Sequence, residues 1–537
     1  MFVKTPSGMD VIREQKLARD GMAWVKGHEE AIRRTVIVAL VYVLPAIWIL
    51  QPVVVDPDVW WHLQTGKWIV EHGMLPPTDP FSVYGEGKAW IVYSWLFELS
   101  IYGLIHLLGE SGIILYTLVL TWLIMLVLHR MIAARVSDFV AVCGLMTLSA
   151  IALTKVFTPR PWLLTILFFS ITLEIVLSFR EGKPSLYFRY LPLLYVLWAN
   201  THIQFIYGLG LLGLACVAPL LDHLAEPYTR SSPMMVWGSP RWKQLLRLTA
   251  LCGFVTLINP YHVHLYSVVV TYAGQTGFGE YIQEMQAPPF RSLADWAMLG
   301  MFALALVWLG RRWSRSSFEV LLIVAAAFCG FRGQRDGWFL VLASLTTVLS
   351  QKPQEKERQW AAIPRLALVP ISLLVVAGAM ALLVWRDFST ARIQENTAKI
   401  YPLGAAEFVA QQRYPGPLYN HFNWGGYLLW RLPHLKVSMD GRGNVHGDER
   451  IKQSIKTWNG GSHWSEDLEL EGAKVVIAQK DMALSSLLRL DPRFLETYQD
   501  ETAVVFVRAS RNEGRSTAPA ADRPVLPSTA FDLASAP

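Results

Sequence analysis

Charged residues and cysteines are scarce in this sequence. Asp, Glu, Lys and Arg make up 17% of the 537 residues, against about 25% in an average soluble domain. The four cysteines lie in apolar stretches without CxxC spacing, which disfavours a zinc knuckle or a disulfide framework. No P-loop or GxGxxG motif follows a predicted strand. A soluble nucleotide-dependent enzyme or a disulfide-stabilised domain is therefore not expected.

Apolar residues are abundant instead, at 53% of the chain. A helix needs about 20 consecutive apolar residues to cross a bilayer. Eleven stretches approach that length: 35–55, 111–129, 138–154, 162–179, 190–200, 203–221, 246–258, 293–309, 317–331, 337–350 and 366–385. The sequence therefore predicts an all-α polytopic membrane bundle of about 11 to 12 transmembrane helices, the twelfth candidate being segment 91–108.

Basic residues give this bundle an orientation. Lys and Arg are concentrated before the first stretch and in alternate loops after it, which by the positive-inside rule predicts a cytoplasmic N-terminus. The alternation holds if segment 91–108, which carries Glu98 and His106, lies on the outer side without crossing. Because the net charge of +6 follows this loop pattern, nucleic acid is not an expected partner.

The end of the chain differs in composition. Its β-prone runs, Leu435–Met439, Lys474–Ala478 and Ala503–Val507, alternate with a helix-like stretch at Leu484–Leu490. An odd number of crossings puts this part outside the cytoplasm. The predicted organisation is a cytoplasmic segment at 1–34, a transmembrane domain at 35–386 with its first outer loop at 56–90, an extracytoplasmic α/β domain at 387–510, and a disordered tail at 511–537.

The first outer loop holds the most informative motif, Asp56-Pro-Asp58 followed by Trp-Trp-His62. Two acids held close together can divide their roles, one acting as a base, or both can bind a divalent metal such as Mg or Mn. Asp58 and His62 are four residues apart and share a face of a helix. The alternative is a solvated loop with Trp60 and Trp61 at the membrane interface.

Further polar residues lie on the predicted outer side, which indicates a polar cavity open to that side. Arg160, Arg332 and Arg335 are candidates to bind phosphate oxygens, although snorkelling or pairing between helices is the alternative.

Four other residues, Asn200, His202, His262 and Glu280, are candidate substrate contacts. For Asn200 and His202 the alternative is hydrogen bonding between helices. For His262 the alternative is a helix end at Pro260. For Glu280, together with Glu284, it is a solvated helix face.

The predicted outer domain contributes four more candidate substrate-binding residues, Trp424, Tyr427, Asp440 and Arg442. Glycines adjacent to them permit close approach of the backbone. A turn that packs this domain onto the bundle is the alternative explanation.

These motifs resemble the GT-C membrane glycosyltransferases, which use polyprenyl-phosphate-linked sugar donors and carry an acidic pair in the first outer loop. A closer likeness is to a group of bacterial multipass proteins; it rests on Asp56–Leu63, Trp198–His202, Asn259–Tyr261, Trp424–Tyr427 and Asp440–Arg442. One departure is that the second acidic motif of some GT-C enzymes has no evident counterpart. Asp138 is the nearest acid, but it is predicted on the cytoplasmic side.

The resemblance implies a GT-C-like fold and transfer of a sugar from a polyprenyl-phosphate donor to a glycan, lipid or protein acceptor. It implies an inverting attack at the outer face of a bacterial inner membrane, with Asp56 or Asp58 as base and the C-terminal domain in the periplasm. A divalent metal on Asp56 and Asp58 stays open. The alternatives are a transporter or flippase of a lipid-linked or anionic substrate, and a non-catalytic scaffold for envelope assembly.

Overall fold

The computed structural model describes residues 34, 37–46, 49, 56–183, 186–225, 238–274, 282–311, 316–350, 378 and 390–509. Glu280, most of the predicted span at 366–385 and the predicted tail at 511–537 lie outside these residues.

The described residues up to position 350 are mainly helical. The helices are α1 Ile37–Ala46, α2 Asp58–His72, α3 Trp95–Leu108, α4 Ser111–Ala133, α5 Phe139–Ala152, α6 Trp162–Arg180, α7 Leu191–Thr201, α8 Phe205–Ala225, α9 Pro240–Val255, α10 Leu265–Gly274, α11 Leu293–Gly310, α12 Ser317–Arg332 and α13 Gly337–Leu349.

Four of these helices, α4, α6, α8 and α11, are long and apolar enough to cross a membrane. Three shorter apolar helices, α1, α3 and α5, accompany them. All thirteen residues of α13 are buried, so this helix is enclosed by the rest of the bundle. These features agree with a helical membrane protein, while eleven or twelve crossings stay a prediction.

The first outer loop forms a helix of its own, α2, which packs closely against α3. Gly66 makes this approach possible, because a Cβ atom at this position would overlap the carbonyl oxygen of Glu98. The close packing brings the side chain of His62 on α2 next to that of Glu98 on α3.

The C-terminal part combines helices with one small sheet. Its helices are α14 Thr390–Ala398, α15 Leu403–Gln412, α16 Phe422–Arg431, α17 Gly443–Trp458, α18 Leu468–Gly472 and α19 Ala483–Leu490. Its strands are β1 Leu418–Asn420, β2 Val475–Gln479, β3 Phe494–Gln499 and β4 Ala503–Arg508.

The four strands lie in the order β1-β2-β4-β3. Strand β1 is parallel to β2, and the other two pairs are antiparallel. The expected helix at Leu484–Leu490 and two of the expected strands are present. The third expectation was wrong, since Leu435–Met439 is not a regular strand; Val437 makes single bridges to Ser82 and Leu418.

These bridges attach the C-terminal part to the first outer loop. The N–H of Val83 donates to the carbonyl of Val437 at 2.9 Å. The N–H of Val437 in turn donates to the carbonyl of Phe81 at 3.1 Å. Helices α2 and α16 also pack together, with the rings of Trp60 and Tyr427 edge to face at 5.2 Å. The turn after Val437 therefore lies over the start of α2.

Candidate active site

Three carboxylates converge on the guanidinium group of Arg160. Its Nε donates to Asp56 Oδ2 at 2.6 Å, and Nη1 lies 2.8 Å from Asp58 Oδ2. Nη1 also donates to the carboxylate of Glu284 at 3.0 and 3.1 Å. The cluster joins the first outer loop, the turn before α6 and the segment before α11, which are far apart in sequence.

Local structure fixes Arg160 in this position. It lies in the turn Thr158-Pro-Arg-Pro161, whose second proline stands just before the first residue of α6. Its guanidinium carbon lies 4.6 Å from the ring centre of Trp162, and its carbonyl accepts a hydrogen bond from Tyr116 at 3.3 Å. The side chain is only 13% exposed, which limits alternative positions.

Asp56 and Asp58 have different environments although only Pro57 separates them. Asp56 is 8% exposed, and its Oδ1 accepts a hydrogen bond from the backbone N–H of Asp58 at 3.0 Å. The Asp58 side chain is 17% exposed and lines a cavity. Burial raises the pKa of Asp58 to about 7; Arg160 opposes the rise, whereas Asp56 and Glu284 add to it.

The cavity beside Asp58 is polar and bounded by both parts of the protein. Among the residues that line it are Asp58, His62, Tyr93, Arg160, Trp162, His202, Tyr272, Glu284, Arg335 and Arg442. Six predicted site residues therefore meet at one place, namely Asp58, His62, Arg160, His202, Arg335 and Arg442.

Two neutral histidines face this cavity. His62 Nδ1 lies 3.2 Å from Glu98 Oε1, and Ser94 Oγ donates to the same oxygen at 3.2 Å. Burial, reinforced by Arg160 and His202, lowers the pKa of His62 well below its usual value. Burial and Arg335 do the same for the pKa of His202, whose Nδ1 lies 2.8 Å from Thr165 Oγ1. Neutral imidazoles can exchange hydrogen bonds with substrate hydroxyls without adding charge.

Arg335 differs from Arg160 in having a donor to spare. Its Nε is buried and has no hydrogen-bond partner among the described residues. Its guanidinium carbon lies 5.9 Å from the ring centre of Trp162, so both arginines contact the same ring. Because a buried donor normally finds an acceptor, Arg335 is suited to bind an anionic group in the cavity.

Three predicted contacts from the helical bundle lie away from the cavity. Asn200 accepts a hydrogen bond from Trp95 Nε1 at 3.0 Å and donates to the carbonyls of Val196 and Ile258, both at 2.8 Å. These bonds tie three segments of the bundle together. His262 and Arg332 are exposed and do not line the cavity.

Arg442 forms a buried ionic link between the C-terminal part and the first outer loop. It binds Asp440 with two hydrogen bonds of 2.8 and 2.6 Å, and its Nη1 donates to Asp79 Oδ1 at 2.6 Å. Although burial acts to raise the pKa of Asp440, Arg442 and His446 hold it well below its usual range. The carboxyl group of Asp440 is therefore ionised, and its link to Arg442 is ionic.

The side chains of Trp424 and Tyr427 pack α16 against the segment that contains Ile400 and Tyr401. Trp424 Nε1 donates to the carbonyl of Ile400 at 3.0 Å, and the Tyr427 ring stacks on Tyr401 at 4.7 Å. Neither lines the cavity, and both help to hold α16 against its neighbours.

Sequence reasoning did not select Glu284, Glu98, Tyr93 or Tyr272 for the site. A polar signal existed for two of them, since Glu98 interrupts an apolar stretch and Glu284 lies four residues after Glu280. Tyr93 and Tyr272, whose hydroxyl groups are 3.2 Å apart, carry no such signal. Asp138 is excluded as a member of the site, because it caps α5 by accepting a hydrogen bond from Ala141.

The candidate metal ligands Asp56 and Asp58 already have a cationic partner. Asp56 and Asp58 each turn an oxygen towards Arg160. Among the described residues, no group of three or more His, Cys, Asp or Glu side chains has an arrangement that could hold a metal ion. The position between the carboxylates is taken by a guanidinium group.

Comparison with known proteins gives limited guidance. No family profile and no curated protein matches the chain. Among solved structures it is similar to the apo oligosaccharyltransferase of Archaeoglobus fulgidus, with a TM-score of 0.43 and 12% identity over 84% of this chain and 69% of that one. It is also similar to apo ArnT from Cupriavidus metallidurans, with a TM-score of 0.41 and 14% identity over 91% and 98%.

Both likenesses are distant, at 12% and 14% identity. TM-scores below 0.5 do not carry an activity over to this chain.

Proposed function

We propose that this chain is a membrane glycosyltransferase that transfers a sugar from a polyprenyl-phosphate-linked donor to a hydroxyl or amide acceptor. The reaction takes place in the cavity beside Asp58, on the outer side of a bacterial inner membrane. The acceptor is a glycan, a lipid or a protein.

The observation that carries the proposal is the contrast between Asp56 and Asp58. Both bind Arg160, but only Asp58 lines the cavity, and its pKa is raised to about 7. A general base works best when its pKa lies near the pH of the reaction. Two neighbouring carboxylates in different environments are a recurrent way to assign separate roles. Asp58 is therefore the base, and Asp56 holds Arg160 in place.

The chemistry is a direct displacement. The acceptor oxygen or nitrogen attacks the anomeric carbon of the donor while its proton passes to Asp58. The bond from the anomeric carbon to the phosphate oxygen breaks, and the bonding electrons leave with the polyprenyl phosphate. Arg335, which lines the cavity, stabilises the negative charge that develops on that phosphate. His62 and His202 supply neutral partners for sugar hydroxyls.

A transfer assay tests this proposal. Membranes containing the full chain are supplied with radiolabelled polyprenyl-phosphate sugars and an extract of envelope acceptors. The wild type is compared with Asp58→Asn and with Asp481→Asn, a matched control at an exposed turn of the C-terminal part.

Label should move to an acceptor with the wild type and the control but not with Asp58→Asn. Movement of the labelled donor across the bilayer without transfer would instead favour the flippase alternative. Equal transfer by all three proteins would remove Asp58 from the mechanism.

A further inference from the structure

Three carboxyl groups share one guanidinium group in the cluster around Arg160. Asp56, Asp58 and Glu284 all contact this one side chain, at 2.6, 2.8 and 3.0 Å. The exposed fractions of these carboxylates are between 5% and 27%, so little water screens their repulsion. Such a group needs a cation between its members, or a proton on one of them, to remain together.

Proteins often fill such a position with a divalent metal, which binds several carboxylate oxygens at about 2.0 to 2.6 Å. Here the guanidinium group has that position. Its Nε and Nη1 point to carboxylates from two different outer segments, and the ring of Trp162 covers its face. The second oxygen of Asp56 is already bound to the backbone N–H of Asp58. Both oxygens of Asp56 and of Glu284, and Oδ2 of Asp58, therefore have partners within the protein.

We propose that Arg160 is the permanent cation of this site and that the protein works without a bound divalent metal. The part that concerns catalysis rests on the proposed glycosyl transfer, whereas the part that concerns metal binding does not. Arg160 joins the first outer loop to the segment that carries Glu284, and it keeps Asp58 at the cavity wall.

An arginine suits this role for two physical reasons. It stays charged at every pH in the physiological range, so its positive charge is always present between the carboxyl groups. Its planar fork binds oxygens in fixed directions, so it also orients the Asp58 carboxylate. Arg160 is thus a positioning residue that acts through Asp58. Lysine provides the charge without the fork and should substitute only in part.

The binding of Mn²⁺ tests the proposal without any activity assay. The purified full chain in detergent is titrated with Mn²⁺, and the bound ion is followed by electron paramagnetic resonance. We expect no stoichiometric binding that depends on Asp58, so the titrations of the wild type and Asp58→Asn should coincide. One bound Mn²⁺ per chain in the wild type that is lost in Asp58→Asn would overturn the proposal, whether or not transfer is observed.

Transfer assays address the catalytic part. The wild type should keep its rate after exhaustive treatment with EDTA. Loss of the rate, with recovery on adding Mg²⁺ or Mn²⁺, would overturn the proposal. A wild type that transfers no sugar with any donor would refute the proposed function, and the Mn²⁺ titration would then decide the metal question alone.

Variants of Arg160 separate positioning from a general structural role. Arg160→Ala should lower kcat by about 10²-fold, the scale expected when a group that orients the reaction is lost. Added guanidinium ion should restore at least part of this loss, and Arg160→Lys should lie between the two. Arg311→Ala, an exposed arginine at the end of α11, is the matched control and should resemble the wild type. An Arg160→Ala protein with unchanged kcat would overturn the positioning role, as would a folded variant that guanidinium does not restore.

Discussion

Gly441 packs directly against the carboxylate of Asp58: a Cβ atom at position 441 would overlap Asp58 Oδ1 and would lie 3.2 Å from Trp61 Nε1. The residue belongs to the C-terminal part, whereas Asp58 begins α2 in the first outer loop. The proposed catalytic carboxylate is therefore held from one side by Arg160 and from the other by the backbone of the C-terminal part. The two parts of the chain form one site.

This contact gives a first prediction. Gly441→Ala should displace the Asp58 carboxylate and lower kcat by about 10²-fold, as expected for a displacement near 1 Å in a reacting group. Steady-state transfer kinetics provide the measurement. Gly472→Ala, at the end of α18 where a new methyl group meets no atom within 4 Å, is the control. Equal kcat values for the two variants would show that the contact does not matter.

A second prediction concerns pH. Because burial and neighbouring carboxylates raise the pKa of Asp58 to about 7, the base is protonated and inactive at lower pH. We expect kcat/KM to fall tenfold per pH unit below about 7 and to level off above it. The pH profile of transfer by the wild type measures this directly. A flat profile between pH 5 and 8 would contradict a base of this pKa.

Glu98 supports a third prediction, because its carboxyl group contacts His62 Nδ1 and orients the ring towards the cavity. Glu98→Ala should remove that contact and lower transfer about 10- to 100-fold, by analogy with the loss of hydrogen-bonding partners behind other functional histidines. Glu71→Ala, on the exposed side of α2 in an i,i+4 pair with Lys67, serves as control. The idea fails if both variants transfer at the wild-type rate while remaining equally folded.

The buried link through Arg442 leads to a prediction about stability. Arg442→Met would leave Asp79 and Asp440 uncompensated in the interior and should destabilise the protein by about 3 to 5 kcal/mol. Arg489→Met removes a more exposed pair with Glu496 and should have an effect of about 1 kcal/mol or less. Thermal unfolding in detergent, with limited proteolysis of the first outer loop, compares the two variants. Similar losses would argue against a special role for the buried link.

The sequence predicted much of the candidate site because its signal was chemical. Asp58, His62, Arg160, His202 and Arg335 are polar residues at the ends of apolar stretches, where burial requires a partner or a cavity. Their common location follows from the helix ends meeting on one side of the bundle.

Other features depend on contacts that a sequence does not contain. Asn200 has the same polar signal, but its hydrogen bonds go to neighbouring helices. Tyr93 and Tyr272 do not stand out in the sequence, because tyrosine is common at membrane–water interfaces whatever its function. The run at Leu435–Met439 has the composition of a strand, yet Val437 finds its partners in the first outer loop and β1 rather than in a regular ladder. Its neighbours in space decide its structure.

The most direct test of the account is a single-turnover transfer experiment with Asp56→Asn and Asp58→Asn side by side. Both variants lose one ion pair to Arg160, so an effect that they share comes from the loss of that ion pair. Only Asp58 lines the cavity, so an effect confined to Asp58→Asn comes from its role there. We expect that Asp58→Asn still binds the labelled donor but transfers it about 10²- to 10⁴-fold more slowly than wild type, the range attributed to a general base. Asp56→Asn should retain substantially more transfer. Faster transfer by Asp58→Asn than by Asp56→Asn would contradict the assignment of Asp58 as the base.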